Sequence, residues 1–439
     1  MSWFARFAAA AAEHAHRRAI VSPDVTFTYG DLLSRAEDWH RAHAGETGRV
    51  VAVTLDPVEA LDSLLGAWRA GRPVAVLPPT LSADVLSTLR TRLAQPVPEA
   101  AAPDDRELYV LSTSGTTGLP KLVAQGERTA ATILDYPLGW YEMPPGAPAL
   151  LPASAAIAVT FYQLIVSLTH GWEVHVLRPG TPMLLLHEYI LREQIRMVCG
   201  ANAFYSVLLA YRPEAKFPAV AYLRMSGESV TAPFRERMLR AFPNATHFVT
   251  YGSTEAMRIA SPQLSDPRIA QGWVGVPEPH YALSIHPLPG LPNGQGELHV
   301  RGPAMCLGYI GPSGAYEGLT ADDSLPMRDV AELTPDGSLW IRGRVDALFK
   351  CAGQWVNPSE VERVLVSVPG VAEARCFPEP HPVLGSVPMA EVAPAPGASL
   401  AEPALRSACV AVLQRHQVPR EFRIVEDVTR GASGKKLRS

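Results

Sequence analysis

Cysteine is scarce in this chain, with five residues in 439 (Cys199, Cys306, Cys351, Cys376 and Cys409), and these form neither a CxxC pair nor a metal-ligand spacing. A disulfide scaffold and a structural zinc module are thereby excluded, and reduced cytosolic thiols are expected. No apolar run reaches the length that spans a bilayer, so no membrane partner is expected. The opening MSWFARFAAAAAEHAHRR has a short apolar patch without an h-region and cleavage site, and reads as an amphipathic helix rather than a leader. Charge is also sparse, 19% of residues with a net value of −4, which excludes a nucleic-acid partner held by electrostatics. The final LRS is not a peroxisomal SKL address, and a cytoplasmic protein is expected. Internal repeats and low-complexity tracts are missing as well.

What is present is globular: 47% of residues are hydrophobic, and a chain this long is expected to form two or more domains. The first half reads as α/β. RVVAVTL (49–55) is a buried-strand run, Asp56 is an N-cap, and Pro57 takes the first helical position. Val58, Leu61, Leu64, Leu65 and Trp68 then follow at helical spacing before Gly71 and PVAVL. Similar strand–helix–strand units are expected around ALLPASAAIAVTFYQLIVSL with WEVHVL, and around RMVCGANAFYSVLLAYR with AYLRMSGES. After about residue 280 short strands alternate with Pro/Gly turns, among them Pro335–Asp336–Gly337. NPSEVERVLVSVPG predicts a helix capped by Asn357, with Pro358 at N1, a capping-box Glu360, and Val361, Val364, Leu365 and Val368 on its apolar face.

The densest functional signal is YVLSTSGTTGLPKLV at 109–123. Its glycines let successive backbone N–H groups converge on an anion. Ser112, Thr113, Ser114, Thr116 and Thr117 add hydroxyls among Gly115 and Gly118, and Lys121 adds a cation, so the loop suits a polyphosphate. It is not a Walker loop, because Pro120 stands where that motif needs its last glycine and a strand is expected to follow.

This loop resembles the phosphate-binding signature of the adenylate-forming superfamily of acyl- and aryl-CoA ligases, adenylation domains and luciferases. YGSTEA (251–256), GELHVRGPAMCLGY (296–309), Arg328–Asp329, GRVDALFKCAGQWVNPSEVE (343–362) and SGKKLR (433–438) resemble further motifs in that family's order. The resemblance covers essentially the whole chain. It implies an α/β fold with a large multi-subdomain N-terminal domain, 1–344, whose sheets are flanked by helices. A small mobile α+β C-terminal domain, 345–439, would carry the catalytic lysine.

The chemistry implied is the activation of a carboxylate. Its charge repels nucleophiles, and conversion to an acyl-adenylate supplies a leaving group that a thiol can displace. The first step brings two anions together and needs cations and preorganised donors. By resemblance, Lys435 bridges carboxylate and α-phosphate, although Gly431 stands where relatives often have threonine. Glu255 matches the Mg²⁺ carboxylate, with Tyr251, Gly252, Ser253 and Thr254 around the nucleotide. Gly227, Glu228 and Ser229 resemble the segment along the adenine. Asp329 would accept from the ribose hydroxyls or cap a turn. Arg344 would reach ribose or phosphate, or pair with Asp346, the implied hinge. Lys350, Gly353 and Trp355 would line the channel of the thiol acceptor, Trp355 being equally a core residue.

GQWVNPSEVE and GSTEAMRI resemble benzoate- and hydroxybenzoate-type CoA ligases. Phe161, Tyr162, Phe204, Tyr205 and Tyr251 are candidates for an aromatic pocket with Gly252. Arg258 stands where such ligases usually place His or Asn beside the acid. It would meet a hydroxyl, a second carboxylate or the reacting carboxylate, or else turn to solvent or a neighbouring acid. The reading is an ATP- and Mg²⁺-dependent aryl-acid ligase acting on a small aromatic acid, monomeric or homodimeric, with CoA as acceptor. The phosphopantetheine of a free-standing acyl carrier protein, an amine acceptor, and a silent nucleotide-binding homologue are the alternatives.

Overall fold

The computed structural model describes residues 2–99, 106–113, 119–135, 142–152, 158–177, 181–227, 229–318, 324–395 and 397–429. Lys435, Glu228 and Ser114–Gly118 lie outside the described residues.

Where the sequence carries apolar runs joined by capped helices, the chain forms parallel strands. Val50–Val53 and Val74–Leu77 pair in parallel, Val50 opposite Val74, across the helix Pro57–Arg69. The Asp56 carboxylate caps that helix by accepting from the Val58 N–H at 2.8 Å, and Leu61, Leu64, Leu65 and Trp68 are buried along it. The other two units form likewise. Pro148–Leu151 and Glu173–Val176 flank the helix Ala158–Thr169. Met197–Ala201 and Tyr222–Ser226 flank Asn202–Tyr211. The amphipathic N-terminal segment is the helix Trp3–Glu13, which buries Trp3, Phe7 and Ala11 at four-residue intervals.

These units assemble into four sheets among the described residues. An eight-stranded sheet has a parallel interior, and a six-stranded sheet runs from Val50–Val53 through Glu107–Thr113 and Lys121–Gly126 to Gly308–Ile310 and Tyr316–Glu317. The Pro/Gly-rich stretch after 280 forms a five-stranded antiparallel sheet. The fourth sheet gathers Phe349–Cys351, Gln354–Val356, Val371–His381, Gly385–Pro394 and Phe422–Ile424, and its hydrophobic core draws every buried member from 351–422.

At the helix Pro358–Val366, Asn357 caps by accepting from the Ser359 N–H at 3.1 Å and also donates to the Arg342 carbonyl at 3.0 Å. Glu360 departs from the capping box expected of it. Its carboxylate accepts from Gln417 at 2.8 Å, because the chain beyond the helix Glu402–Val412 returns beside this helix terminus.

The six-stranded sheet holds a buried ion pair. Arg49 grips both oxygens of Glu107, at 2.6 and 2.8 Å, with both side chains wholly excluded from solvent. Tyr316, on the edge strand, donates to the same carboxylate at 2.7 Å, and Arg49 also reaches the Gln95 carbonyl at 3.0 Å. Removing one partner strands the other charge in a dry interior. Glu107→Gln is therefore expected to cost about 3–5 kcal/mol, read as a lowered urea midpoint. The double replacement Arg49→Met/Glu107→Leu should cost less than Glu107→Gln alone.

Candidate active site

The site begins at the C-terminal end of the strand Thr246–Ser253, where the chain reverses and returns as Met257–Ala260. The Ser253 hydroxyl accepts from the N–H groups of Glu255 and Ala256, both at 3.2 Å, which closes the turn. Met257 takes a left-handed φ of 50°. A Cβ on Gly252 would stand 1.6 Å from the Met257 carbonyl oxygen, so only glycine fits there.

The turn points two functional groups in two directions. Tyr251 donates its phenol to Asp329 at 2.6 Å, and Arg344, cross-strand from Asp329, donates to the other carboxylate oxygen at 3.0 Å. Asp329 is only 7% exposed, and burial raises its carboxyl above the ordinary range while Arg344 and Tyr251 favour the charged form. Arg344 also faces Asp346 at 3.4 Å, in the short 3₁₀ turn Val345–Ala347. Arg344 thus pairs with Asp346, one of its two alternatives, while it also holds Asp329. Gly227, at a φ of 107°, follows the strand Tyr222–Ser226, whose Ser226 lies opposite Thr250. The Gly227 and Tyr251 segments are therefore neighbours, with Ser229 beyond.

Glu255 is held from another side. Its carbonyl accepts from the Cys306 N–H at 2.6 Å, its carboxylate accepts from the Tyr309 phenol at 2.9 Å, and Gln125 donates to the preceding Thr254 carbonyl. Ser112 and Thr113 end the strand Glu107–Thr113 and pair with Leu122 and Lys121, so a strand does follow the phosphate-type loop. The Lys121 ammonium lies 4.5 Å from the centroid of the Tyr309 ring. Gln125 and Tyr309 were not singled out in the sequence, although Tyr309 sits in the quoted LGY.

Most of the aromatics named for a pocket lie in the interior. Phe161, Tyr162 and Tyr205 are at most 1% exposed. The Phe161 ring lies 4.6 Å from that of Tyr109, and Tyr205 spends its hydroxyl on the Val198 and Arg224 carbonyls at 3.0 Å. The helix Ala158–Thr169 is buried from Thr160 to Leu168, packed into the core on all sides, which turns these aromatics inward. Phe204 is half-buried against Tyr205. Arg258, the residue expected to meet the acid, is 1% exposed and pairs with Glu278 at 3.1 Å. The neighbouring His280 is pushed down to about 4 by burial and then by Arg258, so it is neutral at physiological pH. Glu278 was missed because it lies in a loop without a motif around it.

Ala352 and Gly353 both have positive φ, 51° and 79°, and close the hairpin between Phe349–Cys351 and Gln354–Val356. Gly353 faces open space. Lys350 caps the Trp355 ring at 4.8 Å, and Trp355 packs onto Gly290, where a Cβ would stand 2.5 Å from its ring. Among the described residues no cluster of three or more His, Cys, Asp or Glu could hold a metal, and no helix is long and apolar enough to cross a membrane.

Residues 87–310 match the family described as AMP-binding enzyme, and residues 360–435 match the AMP-binding enzyme C-terminal domain. A sulfoacetate–CoA ligase of Cupriavidus necator is 28% identical over 398 residues, covering 84% of this chain and 73% of that protein. The solved o-succinylbenzoate CoA synthetase of Bacillus subtilis, in complex with its acyl-adenylate intermediate, superposes with a TM-score of 0.82 at 21% identity. That alignment covers 100% of this chain and 97% of the other. ATP-bound MatB from Rhodopseudomonas palustris gives 0.84 at 20% identity, covering 99% and 97%.

The pairing of Arg258 has a measurable consequence. Arg258→Gln leaves the Glu278 carboxylate buried without its counter-ion and is expected to destabilise the protein by about 2–4 kcal/mol, seen in urea unfolding. A stable Arg258→Gln protein with a changed ranking of acid substrates would instead return Arg258 to the pocket.

Proposed function

Because this chain belongs to the AMP-binding enzyme family of adenylate-forming proteins, we propose that it activates a carboxylic acid with ATP and transfers the acyl group to the thiol of CoA. The observation that carries this reading is the convergence of three sheets on one turn: Tyr251, Asp329 and Arg344 on one side, Glu255, Tyr309 and Lys121 on the other. In the first step a carboxylate oxygen bonds to the α-phosphorus and pyrophosphate leaves. In the second the thiol sulfur bonds to the acyl carbon, its proton departs, and AMP leaves.

Asp329 accepts one hydrogen bond on each oxygen, and a carboxylate has about four acceptor sites, so room remains for ribose hydroxyls. Arg344 keeps that carboxylate charged and aimed. Lys121 and the hydroxyl-rich loop before it supply positive charge and donors for the phosphates. The Glu255 carboxylate is a hard oxygen donor that fits magnesium, which takes few protein carboxylates beside phosphate oxygens and water. When bound, magnesium neutralises charge building on the leaving phosphates. Lys435 is assigned the bridge between carboxylate and α-phosphate on its place in SGKK. We assign the C-terminal domain to 345–439, the hinge to Asp346 and the thiol channel to Lys350, Gly353 and Trp355, in a cytoplasmic enzyme.

For the acid we infer an aromatic carboxylate bearing a second polar group. The aromatic part rests on GSTEAMRI and GQWVNPSEVE, and the second group on the acids named for two similar proteins, sulfoacetate and o-succinylbenzoate. A panel of substituted benzoates, cinnamates, dicarboxylates and fatty acids, with pyrophosphate release followed in the presence and absence of CoA, tests both. Turnover confined to fatty acids overturns the aromatic reading, and acid-dependent pyrophosphate release that CoA leaves unchanged overturns the acceptor.

Lys435→Ala is expected to slow adenylation by roughly 10²–10³, the scale for losing one aimed donor. Thioester formation from supplied acyl-adenylate should be affected far less, because it builds no charge between carboxylate and α-phosphate. Equal loss in both half-reactions refutes the role. Asp346→Pro locks φ near about −65°. Pyrophosphate exchange should survive in this variant while thioester synthesis collapses, and full thioester turnover by the folded protein removes the hinge.

A further inference from the structure

The strand Gly308–Ile310 is laid antiparallel on Lys121–Gly126, with Tyr309 opposite Val123. Lys121 is therefore the diagonal neighbour of Tyr309 along the strand, within reach of a long side chain. Three contacts fix the phenol. The Lys121 ammonium lies 4.5 Å from the ring centroid, the hydroxyl donates to Glu255 Oε1 at 2.9 Å, and Gly318 lies against the ring, where a Cβ would stand 2.2 Å from its Cδ2. Gly308, at a φ of 139°, seats the strand itself, since a Cβ there would stand 2.9 Å from the Glu317 carbonyl oxygen.

Lys121 and Glu255 carry opposite charges at one site, yet among the described residues no ion pair joins them. The Tyr309 side chain touches both. A direct pair would neutralise the cation that phosphates need and occupy the carboxylate that a divalent cation needs.

We propose that Tyr309 is a positioning residue that keeps Lys121 and Glu255 apart and aimed: its hydroxyl orients the Glu255 carboxylate for magnesium, and its ring holds the Lys121 ammonium for the phosphates of ATP. This rests on the assignment of Glu255 and Lys121 to the nucleotide site made above. The two parts of the side chain have separable duties. Tyr309→Phe loses the hydroxyl and keeps the ring, whereas Tyr309→Leu loses both.

The test reads binding without turnover. The full-length protein is titrated with a non-hydrolysable ATP analogue at a series of Mg²⁺ concentrations, and binding is followed by calorimetry and by the ligand-induced rise in Tm. Tyr309→Phe is expected to raise the Mg²⁺ concentration for half-maximal binding by roughly tenfold to a hundredfold, the scale of one hydrogen bond to a charged group. Saturating Mg²⁺ should restore the affinity of the original protein. Tyr309→Leu should weaken binding of the analogue even at saturating Mg²⁺, as Lys121→Ala does. A Mg²⁺ dependence unchanged in Tyr309→Phe but shifted in Glu255→Gln overturns the positioning role and leaves the metal assignment standing. An unchanged Mg²⁺ dependence in Glu255→Gln overturns the assignment beneath it. If Tyr309→Leu fails to fold, Tyr309→Phe, which keeps the ring packing, decides alone.

Discussion

The strand Thr246–Ser253 turns back on itself so tightly that the Met257 carbonyl fills the space a side chain on Gly252 would need. That close approach sets the directions of the residues on either side of it. Tyr251, before the glycine, reaches the five-stranded sheet through Asp329, and Glu255, after it, reaches the six-stranded sheet through Tyr309. A wider turn would shift both reaches and loosen the turn's ties to the two neighbouring sheets. The Ser253 hydroxyl and the Cys306 N–H stabilise the turn by taking up backbone groups that a reversal this sharp leaves unpaired within the strand.

Three arginine–carboxylate pairs among the described residues show how differently buried charge is matched in scaffold and site. Arg49 with Glu107 is closed on every side, saturated by Tyr316 and the Gln95 carbonyl. Arg258 with Glu278 backs the turn from within and holds its charge without a ligand. Asp329 differs because Arg344, its partner, is itself 41% exposed and shared with Asp346. A carboxylate held this way, with one hydrogen bond on each oxygen, keeps acceptor capacity unused. Arg344 also ties Asp329 to the 3₁₀ turn Val345–Ala347, from which the C-terminal sheet departs.

Local patterns were legible where the responsible groups are near in the chain. Asp56 before Pro57, Asn357 before Pro358, the turn at Pro335–Gly337 and the strand after the phosphate-type loop each depend on neighbours within a few residues, and each formed as read. Of the residues drawn from the family motifs, Tyr251, Asp329 and Arg344 meet one another, while Glu255 meets Tyr309. Glu360 was misjudged because its competitor, Gln417, lies 57 residues away. The aromatics on the helix Ala158–Thr169 are buried with the rest of it, and nothing in a uniformly apolar helix tells which face meets a pocket and which meets the core.

By itself the sequence determined the order of the elements, the residue types at the turns and the motifs that mark an adenylate-forming chain, since these depend on local sterics, capping and hydrophobic period. Tertiary structure alone decided which charges are answered from within. Arg258 could have faced a ligand until Glu278 came to lie against it from a loop 20 residues on, and Tyr309 could have been one more strand aromatic until its hydroxyl met Glu255 across a separation of 54 residues. A side chain's role depends on the free energy of its surroundings, and those surroundings exist only once distant segments have packed.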